Sequence, residues 1–316
     1  MKNSIKIFLF LSVISFWTAC NPTPDIDNAT MLDGDQIFDL SLTHPENYLV
    51  SKYIPTPTEL QKNTPVIICA HGYSATTFEW DELRARANTE GTFYVSQVLL
   101  GGHGRTYVDF KAATWEDWQS SIKDEYIALS NLGFKKIFLA GSSTGAPLIL
   151  QMLSSGFFSG YTAPKGIFLI DPIVVSGNKT LTLVGLLGPV LGYTSITLDS
   201  GEAGKWYIYR PQESLKQLMQ LIDKTRLDLE KSIQITPDVY VKVYKSKIDA
   251  TADPVSAVMI YKGIKYDSQP DKHIDVKMVD SKLHVFTRLQ GRDGVTAADV
   301  ANQKMAFDEM IAKMTE

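Results

Sequence analysis

Gly141-Ser142-Ser143-Thr144-Gly145 is the pentapeptide of this chain best suited to chemistry. It follows Ile137-Phe138-Leu139-Ala140, an apolar run of strand type, and precedes Ala146-Pro147-Leu148-Ile149-Leu150, which reads as a helix start. A G-x-S-x-G between a strand and a helix makes a turn so sharp that side chains at the glycine positions would strike neighbouring backbone. The central serine, held in strained φ/ψ, then projects its Oγ. Pro147 falls in the first helical turn, where a missing N–H is tolerated. Ser143 is therefore the candidate nucleophile, and it needs a base to take its proton and an acid to orient that base.

Open parallel sheets collect their chemistry at the carboxyl ends of strands, so the partners are sought in the loops there. Of five histidines, His284 follows the last strand-like run, Asp275 to Val279, and is the candidate base. His103, in Gly101-Gly102-His103-Gly104, is the runner-up, although bracing its loop suits it better. His71 follows the Val66 to Ala70 run and reads as a loop brace, while His44 and His273 read as surface residues. Among carboxylates, Asp249 lies just beyond Val239 to Tyr244 and is the candidate acid. Asp253 precedes Pro254 and a helical pattern, which suits an N-cap. Asp171, closing Ile167 to Ile170, is a third candidate whose plain reading is a turn residue before Pro172.

Positioning these side chains takes a sheet. From Asp35 onward short strand-like runs alternate with longer helical patterns, the signature of an α/β fold with a mostly parallel central sheet and helices on both faces. The strands are Val66 to Ala70, Phe93 to Leu100, Lys136 to Ala140, Ile167 to Ile170, Val239 to Tyr244 and Asp275 to Val279; Tyr48 to Tyr53 alternates and reads as an antiparallel edge strand. Trp115, Trp118, Ile122, Tyr126 and Leu129 recur every three or four residues and mark an amphipathic helix, with Thr296 to Met314 as another. Cys69, inside an apolar run, reads as an inert buried thiol.

Composition narrows the partners. The chain has 316 residues, 31 Lys+Arg against 35 Asp+Glu and a formal charge of −4, so no basic excess exists to neutralise phosphates and nucleic acid is excluded as a partner. Two cysteines cannot staple a small fold or build a cysteine-rich metal site. No phosphate-cradling or nicotinamide fingerprint is visible, and the chemistry of Ser143 needs no cofactor.

Residues 1–19 read as a leader. Lys2 and Lys6 precede an uncharged apolar stretch, Ile7 to Trp17, that is too short for a comfortable membrane span. Trp17-Thr18-Ala19-Cys20 resembles the lipobox of bacterial lipoprotein precursors, with Trp17 in place of the usual Leu. That resemblance implies cleavage before Cys20, lipidation of Cys20 and a membrane-anchored lipoprotein of the bacterial cell envelope; an ordinary secretory signal, giving a secreted or periplasmic protein, is the alternative. Residues 20–34, rich in Pro, Asp and Asn, form a tether, and the folded domain runs over residues 35–316.

As a whole the chain resembles the α/β-hydrolase superfamily, and within it bacterial carboxylesterases and monoacylglycerol-lipase-like, serine aminopeptidase-type hydrolases. The matching pieces are the His71-Gly72 loop, Gly102-His103-Gly104, the Thr114-Trp115-x-x-Trp118 helix start, the Ser143 elbow, Asp249 to Ala257 and His284-Val285. The departures are Ser142 and Thr144 in the elbow and Leu283 where a Gly often precedes the histidine. The chain order Ser143, Asp249, His284 is the one this superfamily uses for its triad. The resemblance further implies an oxyanion hole from the backbone N–H groups of Tyr73 and Thr144, and a small helical cap inserted at about 173–235. Within that insertion Leu181 to Leu191 is very apolar but broken by Gly and Pro, which suits a cover for a hydrophobic acyl group. The implied activity is hydrolysis of small-molecule carboxylic esters through an acyl-enzyme. Amide or thioester cleavage, or a non-catalytic binding lipoprotein on the same fold, are the alternatives.

Overall fold

The computed structural model describes residues 44–177 and 192–316; the leader, Cys20, the tether and the apolar stretch Leu181 to Leu191 lie outside the described residues. Along the chain the strands are β1 (Val66–Ala70), β2 (Tyr94–Val98), β3 (Ile137–Ser142), β4 (Gly166–Ile170), β5 (Tyr193–Ser195), β6 (Tyr209–Pro211), β7 (Ile233–Ile235), β8 (Tyr240–Ser246), β9 (Ile264–Tyr266) and β10 (Asp275–Val279). Among the described residues the helices longer than two turns are α1 (Asp81–Glu90), α2 (Trp115–Asn131), α3 (Gly145–Ser154), α4 (Gln212–Glu230), α5 (Val255–Gly263) and α6 (Ala297–Thr315).

Six strands form one sheet in the order β10-β8-β4-β3-β1-β2, and every pairing in it is parallel. Strands buried on both faces must be apolar at consecutive positions, and β1 is. Its Val66, Ile68 and Ala70 join one core with Trp118, Ile122, Tyr126 and Leu129 of α2, while Ile67 and Cys69 join the other with Leu83 of α1 and Phe307 and Met310 of α6. These four α2 residues are wholly buried, while Trp115 at the helix start is partly buried. Burying side chains of that size contributes about 1.5–3 kcal/mol each. Capping boxes start both long flanking helices, Thr114 with Asp117 on α2 and Thr296 with Asp299 on α6.

The strand order reverses at β1. From β1 the chain moves outward to β2, then crosses back to lay β3 against the other side of β1. A reversal of this kind leaves a crevice beyond the carboxyl ends of the two strands, and the loops there are His71-Gly72-Tyr73 and the Ser143 turn.

One expected element is different. Tyr48 to Tyr53 is not an antiparallel edge strand: Pro45–Tyr48 is a 3-10 turn and Val50–Tyr53 a single helical turn. Its consecutive residues Val50 and Ser51 are both buried, which a strand of alternating faces does not allow. They are fixed by long-range bonds in place of a ladder. Val50 N–H donates to Ser96 Oγ (3.0 Å), and Ser51 donates to the Glu125 carboxylate through its N–H (3.1 Å) and its hydroxyl (2.5 Å).

Within the expected insertion, β5 and β6 form an antiparallel hairpin and Pro211 to Ser232 is mostly the single helix α4. Leu215, Leu218, Leu221, Ile222 and Leu229 of α4 belong to the larger core cluster, so this helix packs as part of the main body.

Candidate active site

Ser143 sits between β3 and α3 at φ +48°, a conformation that L side chains rarely adopt. The glycines explain how the turn fits. A Cβ on Gly141 would lie 2.6 Å from the Gly145 backbone, and one on Gly145 would lie 2.4 Å from Ala70 O. Gly72 is bare for a related reason: its Cβ would approach Ser143 Cβ to 3.0 Å. The β1 loop can therefore close directly on the serine.

The structure brings the three expected side chains into one line. His284 Nε2 is 2.8 Å from Ser143 Oγ, and His284 Nδ1 is 2.8 Å from Asp249 Oδ2. With Nδ1–H donating to the carboxylate, Nε2 is left to accept the serine proton. The other oxygen of Asp249 accepts the N–H groups of Thr251 (2.8 Å) and Ala252 (3.1 Å), and Lys245 Nζ reaches Oδ2 at 2.5 Å. Burial pushes the Asp249 carboxyl up, but His284 and Lys245 more than offset it and hold the group well below the usual carboxylate range. It is therefore an anion at neutral pH.

Tyr73 and Thr144 flank Ser143, and both are buried. Among the described residues no acceptor takes either backbone N–H. Two buried, unspent N–H groups are rare in folded proteins. Thr144 is also the N-cap of α3, where the helix dipole favours negative charge. The neighbouring Gly72 N–H is already used, donating to Glu79 Oε2 at 3.0 Å.

No family model matches the chain. A thermostable monoacylglycerol lipase from Bacillus sp. (strain H-257) is 27% identical over 228 residues, which cover 72% of this chain and 85% of that one. A soluble variant of monoglyceride lipase from Saccharomyces cerevisiae, solved with a substrate analog, superposes with a TM-score of 0.64 at 13% identity, over 82% of this chain and 88% of that one. A solved structure of metagenome-derived lipolytic enzymes gives 0.63 at 17% identity, over 80% and 94%. The chain has the α/β-hydrolase fold.

The remaining expected residues take supporting places in that hydrolase fold. His71 braces its loop, with Nδ1 on Gly72 O (2.8 Å) and Nε2 accepting from Leu100 N–H (3.1 Å); burial lowers its pKa to about 4. His103 is buried edge-on to His71, Phe110 and Trp118, and burial, reinforced by His71, drops its pKa far below the ordinary value. Asp253 accepts from Val255 N–H (2.8 Å) at the start of α5, while His44 and His273 are exposed. Cys69 is a free buried thiol.

Asp171 makes no bond to His284. It receives Lys245 Nζ (3.1 Å), Ser246 N–H (2.7 Å) and Phe286 N–H (3.2 Å), so one carboxylate joins the ends of β4 and β8 to the histidine loop. Lys245, which the sequence reading missed, is wholly buried between Asp171 and Asp249. A signal existed: on β8 it shares a face with Val241 and Val243, both buried in the core.

A cavity of about 230 Å³ opens over the serine. Ile173, Leu215 and Leu218 supply an apolar wall, and Trp206, Arg210, Glu202, Arg288 and Arg292 a polar one. The polar wall was not legible in the sequence, because its members come from two stretches far apart in the chain. A larger cavity of about 460 Å³ lies near Lys136, Phe138 and Tyr240 at the amino ends of the strands, away from the serine and histidine.

Proposed function

We propose that this chain is a serine hydrolase of carboxylic esters, with Ser143 as nucleophile, His284 as base and Asp249 as the acid that holds the imidazole. The observation that carries this reading is the unbroken hydrogen-bonded series Asp249–His284–Ser143 at a cavity also lined by Tyr73 and Thr144, whose N–H groups are unspent among the described residues. His284 takes the Ser143 proton as Oγ attacks the ester carbonyl, and the carbonyl oxygen gains charge toward the N–H groups of Tyr73 and Thr144. Collapse expels the alcohol with the proton carried by His284. Water, deprotonated by the same imidazole, then attacks the acyl-enzyme, releasing the acid and restoring Ser143.

The substrate class follows from likeness and lining together. The lipase relative acts on monoacylglycerols by its name, and Ile173, Leu215 and Leu218 offer this site an apolar wall for an acyl group. Residues 173–235 are taken as the insertion that covers the site. Lys2, Lys6, the apolar run and Cys20 support an envelope lipoprotein anchored through Cys20, which the mass of the N-terminal peptide from membrane fractions would test.

The deciding experiment treats the folded protein with a fluorophosphonate and locates the adduct by peptide mass. Labelling at Ser143, absent in Ser143→Ala together with a loss of about 10⁴-fold or more in ester hydrolysis, is the expected result. Folded protein that takes no label would overturn the assignment.

A further inference from the structure

Three guanidiniums stand in the cavity over Ser143, and their charge is not used up by the protein. Arg288 pairs with Glu202 and lies over the Trp206 ring, 4.4 Å from its centroid. Arg210 lies over the Tyr73 ring at 5.6 Å. Among the described residues no carboxylate is within ion-pair distance of Arg210 or Arg292. The Nε of each of the three arginines is buried and has no hydrogen-bond partner among the described residues.

These groups form one cluster. Glu202 acts electrostatically on both Arg210 and Arg292 as well as pairing with Arg288. Glu79, the second carboxylate of the cavity, acts on Arg292, spends one oxygen on Gly72 N–H and leaves the other unpartnered. Three cations against two anions leave a net charge of +1 in the cavity of a chain whose total is −4. Burial pulls Arg292 down to about 10, with Arg288 pushing the same way, so it is still charged at neutral pH.

Taking a guanidinium out of water without a counter-charge costs stability, and folded proteins keep such groups when a ligand completes them. The planar fork of arginine matches a carboxylate with two parallel hydrogen bonds. A single excess positive charge balances one monoanion; a phosphate monoester, carrying nearly two charges, would be left under-neutralised. We infer that the natural ester carries a free carboxylate, held by the Arg210–Arg288–Arg292 cluster while the apolar wall takes its hydrocarbon part. This deepens the esterase reading and rests on it.

The test compares ester pairs matched in length. Mono-4-nitrophenyl glutarate against 4-nitrophenyl pentanoate places the carboxylate on the acyl side; 4-acetoxybenzoate against its methyl ester places it on the alcohol side. For at least one pair kcat/KM for the anionic ester is expected to exceed that of the neutral ester by roughly tenfold, the scale of a hydrogen bond to a charged group. Arg292→Gln is expected to shrink that excess to about twofold or less, the anionic ester losing several-fold more of its kcat/KM than the neutral one. Preference for the neutral ester in both pairs, or equal loss on both members in the variant, would overturn the anion site. Fluorophosphonate labelling of the same preparations separates the two failures. Label at Ser143 with neutral preference sinks the carboxylate site alone; no label in folded protein sinks the esterase reading and this inference with it.

Discussion

Lys245→Met removes the cation that lies between two buried carboxylates and tests how Asp249, the proposed acid, is held. Lys245 Nζ lies 3.1 Å from Asp171 and 2.5 Å from Asp249, with all three side chains inaccessible to solvent. Two unit charges about 6 Å apart at an effective dielectric constant of about 20 repel by roughly 3 kcal/mol. Breaking a buried pair by deleting one partner costs about 3–5 kcal/mol. At about 2 °C per kcal/mol for a domain of this size, the melting temperature is expected to fall by roughly 6–10 °C in calorimetry. The sign for activity follows from Asp249. Its carboxyl is depressed in the folded state, so its ionisation stabilises above the ordinary carboxylate range and is lost as pH falls through the depressed value. Without Lys245 that value rises, and the acid limb of the pH–rate profile moves to higher pH. Adding Asp171→Asn to Lys245→Met deletes the surplus anion and is expected to recover part of the lost stability. A Lys245→Met protein melting within about 2 °C of wild type, or a double variant that merely sums its two losses, refutes the charge argument.

Gly145→Ala should destabilise by about 1–3 kcal/mol and impair hydrolysis, because its Cβ would meet Ala70 O at 2.4 Å and His71 O at 3.0 Å, both backbone atoms. Gly160→Ala, where nothing lies within 4 Å, is the control and should melt like wild type. Stability should also fall on acidification between about pH 6.5 and 4. Burial holds His71 neutral down to about 4 and holds His103 neutral well below its ordinary value, so the unfolded chain binds protons there that the folded one refuses. Each histidine contributes about 1.4 kcal/mol per pH unit over that range; denaturant titrations at pH 7, 6 and 5 check it, and a flat profile contradicts the neutral burial of both.

Most of the sheet was legible because a central parallel strand must be apolar at consecutive positions, and Val66 to Ala70 or Ile167 to Ile170 allow little else. Ser143 was legible because its pattern is local, five residues between a strand and a helix, although only Gly141 is required by backbone of the same turn and Gly145 by Ala70 of β1. Asp249 and His284 could be ranked by their places after strands, and the structure puts them together with Ser143. What escaped depends on residues far apart in the chain. Val50 and Ser51 fold as a helical turn because Ser96 and Glu125 supply their hydrogen bonds, and no local period records that. Glu202, Arg210, Arg288 and Arg292 look like ordinary surface charges until the β6 hairpin and the loop after Phe286 are set side by side. Lys245 shows part of the same limit, since one of its two carboxylate partners, Asp171, lies 74 positions earlier.

Gly201 and Gly291 meet with nothing between them: a Cβ built on Gly201 would lie 2.3 Å from Gly291 Cα, and Gly201 N–H donates to Gly291 O at 3.2 Å. Ser200 Oγ adds a bond to Asp293 (2.9 Å) at the same seam. Two stretches of chain, one carrying Glu202 and Trp206, the other Arg288 and Arg292, are thus registered to each other by bare backbone. In a diverging lineage neither position can acquire a side chain unless the arm swings away, which would spread the arginines and redraw the mouth of the cavity. The two glycines therefore act as a joint gauge of selectivity: descendants that keep both should accept the same esters, and those that lose either should have changed diet.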